Sequence, residues 1–438
     1  MDREIINSNY LKERAQKVIP HLTQTFSRAA PAFVEGVYPV YAEKAKGSWF
    51  TDVDGNKYID YLLGLGPITL GYNYEPMNQA IINQLKNGIL FSLPHKTEVE
   101  LSELLCKIIP NTDMVKLEKS GSNAVTGAVR ASRAITKKDH IAYCGSGGVW
   151  HDWYAASISR NDGVPKFNEK LINLFDYNDH EGLEQIFEDF PNQIGTIVLE
   201  PTVYEKPNEN FLKKVRKIAD QNNAVLILDE IVTGFRFDIG GAQKYFDIKG
   251  DFMCFGKGMG NGLPISAITG KSEFMKIFDK LWVSSTNGSE TLSIAGTIFV
   301  INEMKNKNTI SHCWEMGKTL FDGWNKISNN YGINAKMYGY PIRMTLRCYN
   351  SKNVESSTMK AFILQEMVKQ GIFISSGPTF LSYSHSLNDI QKTLDAFENI
   401  CKFIKENLTD DEFEKKLEGE IPKTIYSNTT KSTKKRIK

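Results

Sequence analysis

The chain has 438 residues, 41% hydrophobic and 24% charged, the balance of an ordinary globular protein long enough for two domains. A formal net charge of +2 gives no electrostatic reason to expect nucleic acid or an acidic membrane as partner. Six cysteines (Cys106, Cys144, Cys254, Cys313, Cys348 and Cys401) form no CxxC pair, which argues against a disulfide framework or a zinc site and fits a reducing compartment.

The opening MDREIINSNYLKERAQKVIP has no apolar core for a signal peptide, and no later run is long enough to span a bilayer. A cytoplasmic protein is expected. Within residues 1–25, Leu11, Ala15 and Val18 stand at helical spacing, so a helix and then a loop are predicted. Gly47–Leu62 reads as a hairpin, with alternating residues flanking the turn signal Asp54-Gly55. The loop words Gly64-Leu65-Gly66-Pro67 and Leu70-Gly71-Tyr72-Asn73 follow.

From Glu75 to about Val300, helical stretches alternate with short apolar runs. Glu98–Ile108 is amphipathic, and Asn123–Ile135 reads as a helix preceded by Ser120-Gly121-Ser122. Thr196–Leu199 reads as a strand before Glu200-Pro201. Phe211, Leu212, Val215, Ile218 and Ala219 make the stripe of a helix over Phe211–Asn222. That helix leads into Ala224–Leu228, short enough for a buried strand, which Asp229 ends. A second apolar run, Phe252–Phe255, precedes Lys257, which Gly256, Gly258, Gly260 and Gly262 surround. Such alternation predicts an α/β fold with a mostly parallel central sheet, whose ligands bind at the carboxyl ends of the strands.

Residues 301–408 change character, with a helix over Ser311–Asn330 and strands at Arg343–Arg347 and Leu381–Ser384. The predicted division is an N-terminal segment, 1–72, packing with a small domain, 301–408, and a large domain, 73–300. A disordered tail is expected over 409–438; its last 16 residues hold six basic and no acidic ones.

A carboxylate closing one buried strand and a lysine closing another suit pyridoxal phosphate. That cofactor takes a lysine as its Schiff-base partner and an acid that keeps its ring nitrogen protonated. Glycines around Lys257 let the backbone approach a cofactor closely, and desolvation turns a lysine towards a nucleophilic amine. Small residues at a helix N-terminus, as in Ser120-Gly121-Ser122, present N–H groups and a favourable dipole to a phosphate. The glycines after Lys257 open onto a strand-like run, Ile265–Ile268, instead of the helix a dinucleotide loop requires. Gly270-Lys271-Ser272 lacks the first glycine of a P-loop, since position 265 is Ile. His95, His140, His151 and His312 lack metal-ligand spacing, and no metal is expected.

DEIVTGFRF, then GGAQKYF, then FGKGMGNGLPISA resemble the class III, fold type I, pyridoxal-phosphate aminotransferases, most of all the branch of glutamate-1-semialdehyde aminomutase and its aminotransferase relatives. The resemblance runs from about Phe26 to about Ile404. It implies a homodimer with shared active sites and pyridoxal 5′-phosphate as cofactor. It also implies amino-group transfer from a small-molecule amino donor to a carbonyl acceptor through a Lys257 Schiff base. Asp229 would hold the ring nitrogen, Ser120, Gly121 and Ser122 the phosphate, and Ile231 one ring face, with Glu200 close by. Thr286, in Ser285–Glu290, would reach the phosphate of the neighbouring subunit's cofactor. The Gly64–Asn73 loop would lie near substrate, and Arg236, Arg343 or Arg347 would bind a substrate carboxylate.

Two departures from the family pattern stand out. An acidic residue commonly follows the Ser-Gly-Ser triplet, and here it is Asn123. In CGSGGVWHDWY, Gly147 and Gly148 occupy the positions of the rings that stack on the cofactor. Trp150 or His151 then takes over stacking, or one face stays open to a bulky substrate, or activity is weakened. An intramolecular amino transfer of the aminomutase kind, and a silent relative acting as a binding protein, are the alternatives.

Overall fold

The computed structural model describes residues 5–145, 147–410 and 412–423. Two compact units result, one from the described residues of Met1–Tyr74 and Ser311–Ile425, the other from Glu75–Ile310. Among the described residues no helix is long and apolar enough to cross a membrane.

In the first unit the N-terminal helix spans Ile6–Gln16, shorter than the segment read as helical, and short turns replace its continuation. The expected hairpin is present. Strand β1 (Ala42–Lys46) pairs with β2 (Trp49–Asp52), and β2 with β3 (Lys57–Asp60), all antiparallel. The turn is held by the buried Asp52 carboxylate, which accepts the Asp54 and Asn56 N–H groups at 3.0 and 2.8 Å.

The second unit carries the central sheet. Its strands are β4 (Met114–Glu118), β5 (His140–Cys144), β6 (Ile172–Leu174), β7 (Ile194–Leu199), β8 (Val225–Glu230), β9 (Phe252–Phe255) and β10 (Ser266–Gly270). The spatial order is β4-β10-β9-β8-β7-β5-β6. Strands β5 to β9 pair in parallel with their neighbours, while β10 runs antiparallel to both β4 and β9. The central strands are buried along their length except at Asp229, which is half-buried, as a sheet covered by helices requires.

One helix, Gly121–Thr136, fixes which face carries the site. Ser120 caps its start, accepting the Asn123 N–H, and Lys137 stops it in the left-handed conformation at φ +59°. Its residues Ala124, Val125, Ala128 and Val129 share one apolar core with Tyr143, Val198, Ile227 and Cys254. Side chains along a strand alternate between faces. Asp229, two residues after Ile227, and Glu200, two after Val198, therefore project to the face that this helix covers.

The first unit is completed by β11 (Ala335–Tyr340), β12 (Arg343–Cys348), β13 (Ile372–Phe373) and β14 (Pro378–Phe380). Strand β13 joins β3 in parallel, and β11-β12-β14 form a small antiparallel sheet. The strand expected over Leu381–Ser384 is displaced to Pro378–Phe380. His385 explains this: its N–H bonds to the Ser382 carbonyl and its Nδ1 accepts the Ser382 N–H at 3.1 Å, so the chain turns there. The described residues of the stretch expected to be a disordered tail, 409–410 and 412–423, are placed on the first unit. Phe413 is buried against Phe362, and Gln365 ties down Lys416 and Glu418 at 3.1 and 2.8 Å. The basic stretch beyond Lys423 lies outside the described residues.

Candidate active site

Strands β8 and β9 are parallel neighbours, with Asp229 opposite Cys254 and Glu230 opposite Phe255. Lys257 follows β9 by two residues, so the acid and the amine stand at the same edge of the sheet. Lys257 adopts φ +38°, a left-handed conformation that a residue with a Cβ resists by about 1–2 kcal/mol. Strain of this kind persists where the surrounding structure over-determines it. The flanking Gly256 is closely packed: a Cβ on it would stand 3.2 Å from Ile231 Cδ1.

Asp229 is half-buried, and its pKa is pushed up to about 7. Burial is the main cause and the neighbouring Glu200 the next, while the Ile231 N–H and the Lys257 charge oppose them. The Ile231 N–H donates to Oδ1 at 3.0 Å. Glu200 follows β7, whose Leu199 pairs with Leu228, so the two acids emerge side by side. Tyr143 on β5 closes the group: its hydroxyl accepts the Gly147 N–H at 2.9 Å, and burial drives its pKa far up.

Above these acids sits the turn Ser120-Gly121-Ser122. Gly121 is tight against Ile231, since a Cβ there would fall 2.8 Å from Ile231 Cγ2. Ser266 Oγ donates to the Ser120 carbonyl at 2.7 Å, and Ser120 Oγ lies 2.9 Å from Asn123 Oδ1. Lys119, just before the turn, forms an ion pair with Glu290 at 3.0 Å. Glu290 in turn caps the helix Thr291–Asn306. Thr286 lies on an exposed turn of that same segment, in which the Gly288 N–H bonds to the Ser285 carbonyl at 3.0 Å.

The Gly147–Trp153 loop is tied to the turn as well. Ser122 Oγ donates to the Gly148 carbonyl at 3.4 Å, and Thr126 Oγ1 lies 2.6 Å from His151 Nδ1. Gly147 and Gly148 have φ of +80° and +111°, and a Cβ on Gly148 would meet open space. Trp150 is 71% exposed, its ring 4.3 Å from that of His151, in an open hollow of about 350 Å³ with Arg133, Trp153, Asn168 and Leu171.

Asp229, Glu200, Ile231, Gly121 and the Lys257 charge are thus brought together, with Ser120 and Ser122 on the same turn. Trp150 and Thr286 stand exposed on loops. The Arg347 guanidinium sits 3.9 Å over the Tyr338 ring in the first unit, where Arg343 is also buried. Arg236 is buried in the second unit. In the Gly64–Asn73 loop, Tyr72 donates to Asp60 at 2.6 Å within the first unit. Sequence reasoning passed over Tyr143, Lys119 and Ser266. The signals were present: Tyr143 stands on the inward face of β5, and Lys119 immediately precedes the Ser-Gly-Ser turn.

This donor set fits pyridoxal phosphate. A carboxylate whose pKa is raised by desolvation and by a neighbouring acid is a partner for a protonated ring nitrogen. Ile231 offers an apolar surface beside it, and helical N–H groups begin at Gly121 for a phosphate.

The comparisons agree. The model of the family described as "Aminotransferase class-III" matches residues 32–401. A glutamate-1-semialdehyde 2,1-aminomutase of Methanosphaera stadtmanae is 33% identical over 390 residues, 82% of this chain and 91% of the relative. A 3-aminobutyryl-CoA aminotransferase of Cloacimonas acidaminovorans is 31% identical over 92% of this chain and 99% of its own length. Among solved structures, the FumI protein of Sphingopyxis sp. MTA144, in its PLP internal aldimine form, superposes with a TM-score of 0.85. At 22% identity it covers 95% of this chain and 98% of its own, and shares the fold. The chain belongs to the class-III aminotransferases, fold type I enzymes whose cofactor is pyridoxal 5′-phosphate.

Proposed function

We propose that Lys257 and Asp229 carry the amino transfer between a small-molecule amino donor and a carbonyl acceptor. The observation that supports this is the pairing of a half-buried carboxylate, raised to about 7, with an amine held left-handed at the next strand end. When bound, pyridoxal phosphate supplies an aldehyde for the amino group and an electron-poor ring that stabilises negative charge at the substrate carbon. Lys257 would hold the cofactor through its amine and, once the donor takes its place, would carry the proton at the substrate carbon as general base and then acid. Asp229 holds the ring-nitrogen proton, and Glu200 keeps the Asp229 pKa high enough to share it. Ile231 packs against the ring, and Ser120, Gly121 and Ser122 hold the phosphate.

The decisive experiment is an absorption spectrum of the purified protein with pyridoxal phosphate, before and after a panel of amino donors. A visible band that one donor bleaches is expected, and Lys257→Ala removes the turnover. Full activity in that variant sinks the assignment of Lys257.

The likeness to glutamate-1-semialdehyde aminomutases at 33% identity keeps an intramolecular transfer as the second reading. Asn123 and the Gly147-Gly148 pair rank it lower. Turnover of glutamate-1-semialdehyde without any second amino donor would favour it.

The enzyme acts as a homodimer with shared sites. Exposed apolar side chains at Leu85, Ile89, Leu90, Phe91 and Leu93 support this, because they adjoin the helix that follows Thr286. The Thr291 N–H bonds to the Ile89 carbonyl at 2.9 Å. Thr286 then donates to the partner's bound phosphate. Mixing Lys257→Ala with a Thr286→Ala variant tests it: subunit exchange changes the activity only if each site uses both chains. The absence of any disulfide among the six cysteines supports a reducing, cytoplasmic setting.

A further inference from the structure

Ser266 joins the strand connection that carries Lys257 to the Ser120–Ser122 turn. It opens β10, which runs antiparallel to β9 with Ala267 opposite Phe255. One step further out, Ser266 faces Gly256, the residue before Lys257; a Cβ on Gly256 would stand 3.5 Å from Ser266 Cβ. The Ser266 hydroxyl donates to the Ser120 carbonyl at 2.7 Å, and the residue is wholly buried, so the bond is shielded from water. That carbonyl already accepts the Ala124 N–H at 3.1 Å, the first bond of the helix Gly121–Thr136. The bond from Ser266 is therefore not needed to satisfy the helix end. What it does is fix where the turn stands relative to the β9–β10 connection.

The stretch between Lys257 and Ser266 is stiff enough to pass this constraint on. The Met259 N–H bonds to the Gly256 carbonyl at 3.1 Å and the Leu263 N–H to the Gly260 carbonyl at 3.0 Å, while Met259 and Ile265 are buried. Ile231 fills the space beside it from both sides: Cβ atoms on Gly121 and Gly256 would fall 2.8 and 3.2 Å from its side chain. We propose that Ser266 is a positioning residue, whose hydroxyl sets the span between the Lys257 amine and the anion-binding N–H groups of the Ser120–Ser122 turn.

The inference rests on the reading that Lys257 takes the cofactor's aldehyde and the turn its phosphate. The test measures equilibrium affinity of the full-length apoprotein for three ligands by quenching of intrinsic fluorescence. Pyridoxal phosphate engages both anchors, pyridoxal only the amine, and pyridoxamine 5′-phosphate only the turn. Ser266→Ala should weaken pyridoxal phosphate roughly tenfold, the size of one lost hydrogen bond, and change the other two by less than about twofold. Ser266→Cys, close in size but a weak donor, should show the same selective loss. Equal weakening of all three ligands means lost packing, and equal weakening of the two phosphorylated ones means that the hydroxyl shapes the turn alone; either result overturns the proposal. So does a Ser266→Cys protein with the wild-type preference, because the loss in Ser266→Ala is then a cavity effect.

The wild-type protein and Lys257→Ala separate the proposal from the reading beneath it. If the wild type binds pyridoxal as tightly as pyridoxal phosphate, or Lys257→Ala leaves the affinity for pyridoxal phosphate unchanged, one anchor is wrongly placed and both fall. If both anchors cost affinity when lost and the wild-type preference survives Ser266→Ala, only the role of Ser266 falls.

Discussion

The Lys119 ammonium lies 3.0 Å from the Glu290 carboxylate, and this ion pair joins the residue before the Ser-Gly-Ser turn to the cap of the helix Thr291–Asn306. Burial works against the Glu290 charge, but hydrogen bonds from Ser293 and Lys119 outweigh it and hold its pKa below the usual 4.5. A carboxylate with a depressed pKa stabilises the fold above its unfolded pKa, and the stability is lost as pH falls through the folded value. Glu290→Gln should therefore cost about 1–2 kcal/mol at pH 7, with a smaller difference from wild type below about pH 4. Chemical denaturation of both proteins at the two pH values checks the sign.

Asp229 shows the opposite linkage. Its folded pKa, about 7, lies above the ordinary 3.8, so its contribution is full below pH 3.8 and declines as pH rises towards 7. Asp229→Asn apoprotein should melt higher than wild-type apoprotein at pH 8, by about 1–3 kcal/mol, and no higher at pH 4. On the role proposed for Asp229, the same variant should lose at least about 1000-fold in amino transfer, because an amide does not hold a ring-nitrogen proton. Calorimetry and donor half-reaction rates check the two halves.

Gly121 cannot carry a side chain without moving Ile231, whose Cγ2 would stand 2.8 Å from the new Cβ. Ile is stiff at χ1, so the strain is not relieved cheaply. Gly121→Ala should destabilise the apoprotein by about 1–3 kcal/mol despite the gain in helix propensity, and should weaken cofactor affinity. A melting curve and a cofactor titration together test this.

Phe413 is 2% exposed, with its ring 5.7 Å from that of Phe362. Phe413→Ala should cost about 3–5 kcal/mol in stability, a loss that an unstructured tail would not produce. Urea denaturation followed by tryptophan fluorescence reads it.

Local pattern made much of this enzyme legible. All five apolar residues of the Phe211–Gln221 stripe are buried, and the hairpin turns at Asp54-Gly55 as its dipeptide requires. The Asp229 and Lys257 strand ends also lie where the short apolar runs stop. What escaped was set by partners far along the chain. The strand expected at Leu381–Ser384 gives way to a turn because of the bonds between Ser382 and His385. Residues 412–423 are held by the buried Phe413 ring and by the hydrogen bonds of Gln365 to Lys416 and Glu418.

The sequence by itself determined where an acid ends one strand and a lysine stands among glycines after the next, since these are local facts of composition and period. Only the tertiary structure decided the electrostatics and the anchoring. Asp229 reaches about 7 because β7 and β8 are neighbours and bring Glu200 beside it in a buried site. Lys119 meets Glu290, 171 residues away, because the helix Thr291–Asn306 starts beside the Ser-Gly-Ser turn. Such pairings depend on how strands and helices assemble across long sequence separations, and no period or motif in the chain encodes them.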